Sequence, residues 1–334
     1  MSWLRGKRVL VTGGAGAFGR RFLFAAKEMG AAGVVVVSRD EMKHASLRRS
    51  WPGKDDGFLR ILNGDVTNPQ MLRPAMHDVD CIVHAAAMKH LPECELNVSA
   101  STRANVLGTQ GVVDSFLESP RASTLVFLST DKAPYASSAY GAQKYLGEKL
   151  VTAANETGKR AFSLRYSNVM DSTGSVFHVF AELLSADKTA TVNGSQTSRG
   201  FVSQAQVIGC LEAALELSRG GEVHVLRPQV VRISELAELM REVIGRGKVR
   251  VVEEPGFVGE KESATLIMRE EVGRARAVAG LPAAQVVTLD LLGRHAGSPA
   301  PDLPAHGLTL EDCPDLSGVA LKDFVRPLLE SSNR

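Results

Sequence analysis

The sequence predicts an α/β protein with a doubly wound parallel sheet, followed by a smaller C-terminal α/β lobe. Short apolar runs rich in valine and leucine alternate with stretches of helical periodicity over about 160 residues, a pattern typical of parallel strands joined by helices. A glycine-rich segment, Gly13 to Gly19, separates the first strand from the first helix. After Tyr166 the regular alternation ends, so the remaining elements are expected to divide between the sheet and the lobe.

Each element follows from its own pattern. The run of four valines from Val34 to Val37 predicts a strand buried on both faces. Ser234 is expected to cap the helix that begins beside it. Apolar runs predict strands at 7–12, 33–37, 58–63, 81–84, 124–128, 162–166, 222–226 and 248–253. Periodicity predicts helices at 20–29, 42–50, 69–76, 101–118, 139–156, 176–186, 207–218 and 233–244.

Composition excludes several classes of function. The 334 residues are 44% hydrophobic and 23% charged, with a formal net charge of +2, so neither a nucleic-acid partner nor a membrane surface is favoured. The four cysteines form no CxxC pair, and we predict neither a metal site nor a disulfide framework. No signal peptide is visible, and no apolar run approaches the roughly 18–20 residues that span a bilayer. We therefore expect a cytoplasmic protein.

The glycine-rich segment predicts a dinucleotide site. Glycines allow a tight turn there and let the pyrophosphate approach the positive N-terminus of the helix. The alternative is a tight turn from strand to helix that binds no ligand. The residues expected to contact the cofactor in this segment are Gly13, Gly16, Ala17, Phe18 and Gly19.

The end of the second strand bears on the choice of cofactor. An NAD enzyme usually has an acid there to hold the ribose 2′-OH, whereas this chain has Ser38, then Arg39 and, one helical turn later, Lys43. Two cations favour a 2′-phosphate, so NADP is preferred over NAD. Asp40 keeps NAD open, because its carboxylate could bind a free ribose hydroxyl.

Later strand ends complete the predicted cofactor site. His84 is interpreted as a packed strand-end residue. The positions expected near the adenine are Asp65 and Val66, and those near the nicotinamide ribose are the small residues Ala85, Ala86 and Ala87.

These observations divide the chain into units. Residues 1–166 are predicted to form the dinucleotide-binding domain, with 205–226 returning to it. Residues 167–204 and 227–290 are assigned to the substrate lobe. Because residues 295–304 are rich in Pro, Ala and Gly, 291–334 is expected to be a loosely packed extension.

A hydroxyl, an acid and two amines are predicted to meet at one place. Tyr140 and Lys144 are four residues apart and share a helical face, where the ammonium is expected to lower the pKa of the phenol. Thr130, Asp131 and Lys132 end the fifth strand, at the same edge of the sheet. An alcohol dehydrogenation needs only a Tyr, a Lys and a hydroxyl. The additional acid and amine therefore indicate a further proton transfer, with elimination of water as the candidate reaction.

Over residues 5–260 these features resemble the extended short-chain dehydrogenases/reductases. The resemblance rests on the glycine loop, Asp65, the three alanines, Asn105 and the Tyr140/Lys144 pair. Longer strings are similar to bacterial UDP-N-acetylglucosamine 4,6-dehydratases, retaining or 5-epimerising, which have Thr-Asp-Lys where dTDP-glucose dehydratases have Thr-Asp-Glu. Those strings are 38–43, 84–92, 129–133 and 165–169, with Arg199 and 259–261 continuing the match.

The resemblance implies a role for each residue. Tyr140, supported by Lys144 and Thr130, would deprotonate the sugar 4-OH as hydride leaves C4. Lys132 would then remove the neighbouring proton while Asp131 protonates the departing 6-OH. A tightly bound cofactor would be regenerated in each cycle. The residues expected to hold the small-molecule substrate are Lys89, Asn168 and, at its pyrophosphate, Arg199; a homo-oligomer is also implied.

Departures from the family lie in the substrate half. Thr173 stands where the family usually has Arg, the run after Lys261 differs from Glu262 onward, and Gly200-Phe201 follows Arg199. Three alternatives therefore stay open: a dehydratase of a nucleoside or nucleotide ribose (4′,5′-dehydration) in natural-product biosynthesis, a nucleotide-sugar epimerase or simple oxidoreductase, and a non-enzymatic dinucleotide sensor. The complete Tyr/Lys pair argues against the sensor.

Overall fold

A computed structural model describes residues 2–53, 57–156, 158–172, 174–254, 259–261, 263–281, 285–295, 298–300 and 302–332. The strands are β1 Arg8–Thr12, β2 Gly33–Ser38, β3 Leu59–Asn63, β4 Cys81–His84, β5 Thr124–Leu128, β6 Arg160–Arg165, β7 Asn168–Val169, β8 Thr189–Asn193, β9 Ser198–Val202, β10 Glu222–Leu226, β11 Gln229–Arg232, β12 Lys248–Val252, β13 Thr265–Ile267, β14 Ala275–Arg276, β15 Val286–Asp290 and β16 Leu308–Thr309.

The helices pack around these strands. They are α1 Ala17–Glu28, α2 Glu41–Ser50, α3 Pro69–Met76, α4 Leu91–Leu96, α5 Val98–Thr102, α6 Gly108–Glu118, α7 Ala139–Ala153, α8 Val176–Ser185, α9 Gln204–Leu217, α10 Ile233–Ile244 and α11 Gly318–Ser332. A π-helical turn, Arg103–Leu107, joins α5 to α6, so the single helix predicted over 101–118 is in fact interrupted. Among the described helices, none is both long and apolar enough to cross a bilayer.

The central sheet has nine strands in the order β3-β2-β1-β4-β5-β6-β10-β15-β14. From β3 to β10 neighbouring strands pair in parallel, whereas β15 and β14 pair antiparallel. The strand order reverses between β1 and β4, which is where ligands bind in doubly wound sheets. The predicted fold class, a Rossmann-type sheet with a smaller lobe, is therefore confirmed.

Apolar residues bury both faces of this sheet. Val34 and Val36 belong to one hydrophobic cluster, and Val35 and Val37 to the cluster on the opposite face. This alternation follows from the two-residue period of a strand. It agrees with the expectation that the valine run is buried on both sides.

The smaller lobe has its own core. Strands β7, β9 and β11 form one small sheet, and β8 pairs with β12. Helices α8, α10 and α11 contribute fully buried side chains to it, among them Leu184, Leu236, Met240 and Leu321. The lobe thus covers the carboxyl ends of the central strands from one side.

Two sequence predictions about this region are wrong. Residues 275–276 and 286–290, expected to belong to the lobe, form β14 and β15 and extend the central sheet instead, because β15 pairs with β10. The expected loose packing of the C-terminal extension fails at α11, because Leu321, Val325 and Leu329 are 5% exposed or less in the lobe core.

The predicted cap of α10 is also wrong. Arg232 occupies the cap position, and no side chain bonds to the helix N-terminus there. The strand β11 runs directly into the helix, and the Ile233 N–H donates to the Thr197 carbonyl instead. Ser234 is the second residue of the helix, past the cap position, and its hydroxyl donates to the Ser195 carbonyl at 3.1 Å.

Candidate active site

A cleft of about 1160 Å³ lies between the carboxyl ends of the central strands and the small lobe. Its lining includes every residue predicted from the sequence to contact cofactor or substrate or to take part in catalysis. The topology explains this convergence, because parallel strands deliver their carboxyl ends to one edge of the sheet.

The glycine loop closely approaches the segment after β4. Gly13 has a φ of +68°, and a Cβ there would lie 2.8 Å from the backbone of Ala86. A Cβ on Gly19 would lie 2.3 Å from the Cα of Gly14. Only glycine avoids these clashes, so the loop can turn tightly and present the N-terminus of α1 to the cleft. The cradle suits a pyrophosphate.

At the end of β2, both cations already have carboxylate partners. Arg39 Nη1 lies 3.5 Å from Asp65 Oδ2, and Lys43 Nζ lies 3.0 Å from Asp40 Oδ2. Asp40 also caps α2 by accepting the Lys43 N–H at 2.9 Å. The Ser38 hydroxyl is 2.6 Å from His44 Nε2. Any 2′-phosphate would therefore share these cations with Asp40 and Asp65.

Asp65 is held as a carboxylate. Burial alone would raise its pKa, but hydrogen bonds from the backbone and hydroxyl of Thr67, both at 2.9 Å, and the Arg39 guanidinium leave the pKa of Asp65 below its ordinary value. The acid can accept hydrogen bonds from a ligand in the cleft.

Tyr140 and Lys144 lie about one turn apart on α7, and both line the cleft. Ser138 caps this helix by accepting the Gly141 N–H at 3.1 Å. The Tyr140 phenol lies beside the Thr130 side chain, and the Lys144 ammonium lies 3.9 Å from the centroid of the Phe127 ring. The helix thus presents the phenol and the ammonium on the side that faces β5.

The expected effect of Lys144 on Tyr140 is wrong for this structure. Burial raises the pKa of Tyr140, and the nearby Tyr166 and Asp131 raise it further, which outweighs the opposite effect of the Thr130 hydroxyl. Burial also lowers the pKa of Lys144 to about 7, although Glu148 opposes that shift. Spacing predicted which groups are neighbours, but not how strongly burial disfavours their charged forms.

Asp131 and Lys132 form an ion pair at the end of β5. Lys132 Nζ lies 2.9 Å from Asp131 Oδ1 and 3.3 Å from the side-chain oxygen of Asn168. The Asp131 side chain is 2% exposed, whereas that of Lys132 is 25% exposed. The Thr130 hydroxyl donates to the same Asp131 oxygen at 3.1 Å. The partly exposed Lys132 amine, which lines the cleft, is therefore paired with a buried carboxylate.

The substrate half of the cleft is arranged around Arg199. Its guanidinium pairs with Glu260 and donates to the Ser198 carbonyl at 2.9 Å. Lys261 donates to the Pro134 carbonyl. Lys89 is exposed at the rim of the cleft. Thr173 and Glu262, where the sequence departs from the family pattern, lie outside the described residues.

A buried ionic cluster below the site was missed from the sequence. Arg165 is fully buried and bonds Glu148 at 2.7 Å and Glu271 at 2.8 Å. Ser129 donates to Glu148 at 2.6 Å, which links this cluster to the end of β5. Its only sequence signals were an arginine ending an apolar strand and a glutamate four residues after Lys144.

Asn105 positions the loop that carries Lys89. It accepts the Met88 N–H at 2.8 Å and donates to the Met88 carbonyl at 2.9 Å and to Gln143 at 2.8 Å. The π-helical turn at this place widens the helix and lets the amide face the loop. Asn105 was part of the resemblance but carried no assigned role.

His84 is a structural residue, as interpreted. Its ring is 2.6 Å from the Thr12 hydroxyl and 3.0 Å from the Thr109 hydroxyl. Burial lowers the pKa of His84 to about 3, so the ring is neutral. Within the described part of the chain, no group of three or more His, Cys, Asp or Glu residues could hold a metal ion.

The strand order, the glycine loop and the Tyr/Lys pair define an extended short-chain dehydrogenase/reductase. The chain belongs to the family described as polysaccharide biosynthesis protein, which matches residues 9–284. The resemblance inferred from the sequence is thereby confirmed.

Two relatives show how the family divides. A UDP-glucose 4-epimerase of Rickettsia felis is 32% identical over 82% of this chain and 81% of its own. An inverting UDP-N-acetylglucosamine 4,6-dehydratase of Campylobacter jejuni is 32% identical over 70% of this chain and 71% of its own. Pen from Bacillus thuringiensis, a solved structure, has a TM-score of 0.87 and 27% identity, covering 97% and 98% of the two chains. The family is clear, and the relatives carry two different activities.

The fold is also similar to DesIV, the dTDP-glucose 4,6-dehydratase of Streptomyces venezuelae solved with NAD bound. The TM-score is 0.64 at 23% identity, covering 74% of this chain and 85% of DesIV. At this identity the likeness establishes the fold alone.

Proposed function

We propose that the protein is an NAD(P)-dependent dehydratase of a nucleotide sugar, with UDP-N-acetylglucosamine as substrate and 4,6-dehydration as reaction. One observation carries the proposal: the Tyr140–Thr130 pair and the Asp131–Lys132 pair reach the same cleft from two consecutive elements. Oxidation of an alcohol needs the first pair, and elimination of water needs the second. The dehydratase among the relatives supports this choice.

Tyr140 is the proposed base for the sugar 4-OH. Because burial raises its pKa, the phenol, which lies beside Thr130, can act as a base only after releasing its own proton to solvent, and the phenolate then takes the proton of the 4-OH. When bound, a nicotinamide dinucleotide would accept hydride from C4 and later return it to the product. Lys144 would stabilise the phenolate charge. The resulting ketone acidifies the C5–H.

The Asp131–Lys132 pair supplies the acid and the base for the elimination. Moving one proton from the Lys132 ammonium to the Asp131 carboxylate, across 2.9 Å, gives a neutral amine and a neutral acid. The amine can take the C5 proton, and the acid can protonate the departing 6-OH, so the C–O bond breaks and water leaves. After the elimination Lys132 is again an ammonium and Asp131 is again a carboxylate.

NADP is the proposed cofactor. The glycine cradle fits a pyrophosphate, and Arg39 and Lys43 lie where a 2′-phosphate would be held. Lys89, Asn168 and Arg199 are proposed to bind the substrate, because all three line the cleft beyond Lys132.

Mass spectrometry of the products tests the proposal. Incubation with UDP-N-acetylglucosamine should give loss of one water without net consumption of cofactor. A product of unchanged mass would contradict dehydration and would favour the second candidate, a 4-epimerase, which the Rickettsia relative suggests. Water loss only from a free nucleoside would support the proposed mechanism but would show that the substrate is a nucleoside and not UDP-N-acetylglucosamine. That outcome would fit the pairing of Arg199 with Glu260.

A further inference from the structure

The loop 133–138 lies between the two pairs of proposed reacting groups. It joins Asp131 and Lys132 at the end of β5 to α7, which carries Tyr140. Tyr135 in its centre has a φ of 43°, a left-handed conformation that is unfavourable for a residue with a Cβ. Such a conformation persists only where neighbouring contacts enforce it.

Those contacts come from the second half of the chain. The Tyr135 hydroxyl donates to Glu270 at 2.6 Å and accepts the Arg269 N–H at 3.2 Å. On either side of it, Lys261 donates to the Pro134 carbonyl, and Ser137 donates to the Gly259 carbonyl at 2.8 Å.

The anchor of the Tyr135 contact adjoins a buried ionic cluster. Glu270 lies in a 3₁₀ helix, Arg269–Arg274. The residue that follows it in this helix, Glu271, is buried. Glu271 bonds both Nη1 and Nη2 of Arg165, at 2.8 and 2.9 Å. The exposed phenol is thus tied to the buried ionic cluster, which also contacts α7 through Glu148.

We propose that Tyr135 is a positioning residue, held by Glu270, which fixes Asp131 and Lys132 relative to Tyr140. This inference rests on the proposed function, because it assigns the loop to the elimination and oxidation groups of that reaction. Groups that act on neighbouring substrate carbons must be held within a fraction of an ångström of their productive geometry. The contact lies outside the cleft, so it can act only through the loop.

Removing one oxygen atom tests the proposal. Tyr135→Phe should lower kcat by roughly tenfold while KM changes by less than about twofold. Hydrogen exchange of the backbone amides of residues 133 and 135–138 should become about fivefold faster, since a hydrogen bond that closes the loop is lost. Tyr145→Phe, on the same helix as Tyr140, is the matched control and should change neither quantity.

A second pair of variants separates the contact from general damage. Glu270→Ala should reproduce both effects, whereas Glu270→Gln, whose amide oxygen can still accept from the phenol, should retain most of the activity. Unchanged kcat and unchanged exchange in Tyr135→Phe and Glu270→Ala would overturn the inference. If the wild-type protein dehydrates no nucleotide sugar, the proposed function fails, and the exchange rates still decide whether Tyr135 and Glu270 hold the loop.

Discussion

The side chains of Asp131 and Lys132 form an ion pair of 2.9 Å although the two residues are adjacent in the chain. Neighbouring residues of a strand point to opposite faces. Here β5 ends at Leu128, and the Ala133 N–H closes a turn onto the Thr130 carbonyl. The turn brings the acid and the amine together, which a continuing strand would prevent.

This pair leads to the first prediction. Asp131→Asn and Lys132→Ala should block elimination while leaving oxidation possible, so reduced cofactor should accumulate on the enzyme. The absorbance of the reduced nicotinamide after one turnover, with product analysis, measures both steps. Lys322→Ala, which removes an exposed ion pair with Glu242, is the control. If both site variants turn over normally, an epimerase becomes the better interpretation.

The second prediction concerns the phenol. Tyr140→Phe should slow hydride transfer by at least about 100-fold, because it removes the proton acceptor for the substrate hydroxyl. Single-turnover reduction of the cofactor measures this step directly. Tyr145→Phe keeps the ring beside Lys149 and should be near wild type. A severalfold loss in Tyr140→Phe would argue against its role as base.

The sequence predicted the central sheet well because its signals are local. Strands β4, β5 and β10 and helices α3 and α10 have the predicted bounds. Helix α11 was missed although Leu321, Val325 and Leu329 recur every four residues. The Pro- and Gly-rich stretch before it obscured that stripe, and its partners lie far away in the chain.

Grouping of the site residues was also predictable, whereas their electrostatics were not. Strand ends and the Tyr140/Lys144 spacing place side chains at one edge of a sheet. The pKa of Tyr140 depends on burial and on Tyr166 and Asp131, and that of Lys144 depends mainly on burial, which no local spacing reveals. For the same reason the partners of Arg199 and Lys261 appeared only in the folded structure.

The third prediction concerns the cofactor. Protein purified without added dinucleotide should release NADP on denaturation, identified by mass spectrometry. Arg39→Ala together with Lys43→Ala should weaken NADP by roughly tenfold or more and leave NAD little changed, since charge-assisted bonds to the 2′-phosphate are lost. Arg48→Ala, in the last turn of α2, is the control. Release of NAD alone would show that Ser38 or Asp40 holds a free 2′-OH instead.

The fourth prediction follows from the burial of Lys144, which is only 3% exposed. Burial lowers its pKa from 10.5 to about 7 in the folded protein. Between those two pH values the unfolded chain binds more protons at this site, so the free energy of unfolding rises with pH. Below about pH 7 both states carry the charge, and its full burial penalty destabilises the fold.

Lys144→Met should therefore raise the free energy of unfolding most at about pH 6, and the gain should shrink towards about pH 10, where the wild-type amine is neutral in the folded protein and no charge is buried. Urea unfolding of the cofactor-free protein at the two pH values measures the difference. Lys149→Met, in the next turn of α7, serves as the control and should show no such dependence. A gain for Lys144→Met that is equal at both pH values would mean that the Lys144 ammonium is not destabilised in the fold. The same variant should lose activity, because the ammonium that would stabilise the Tyr140 phenolate is gone.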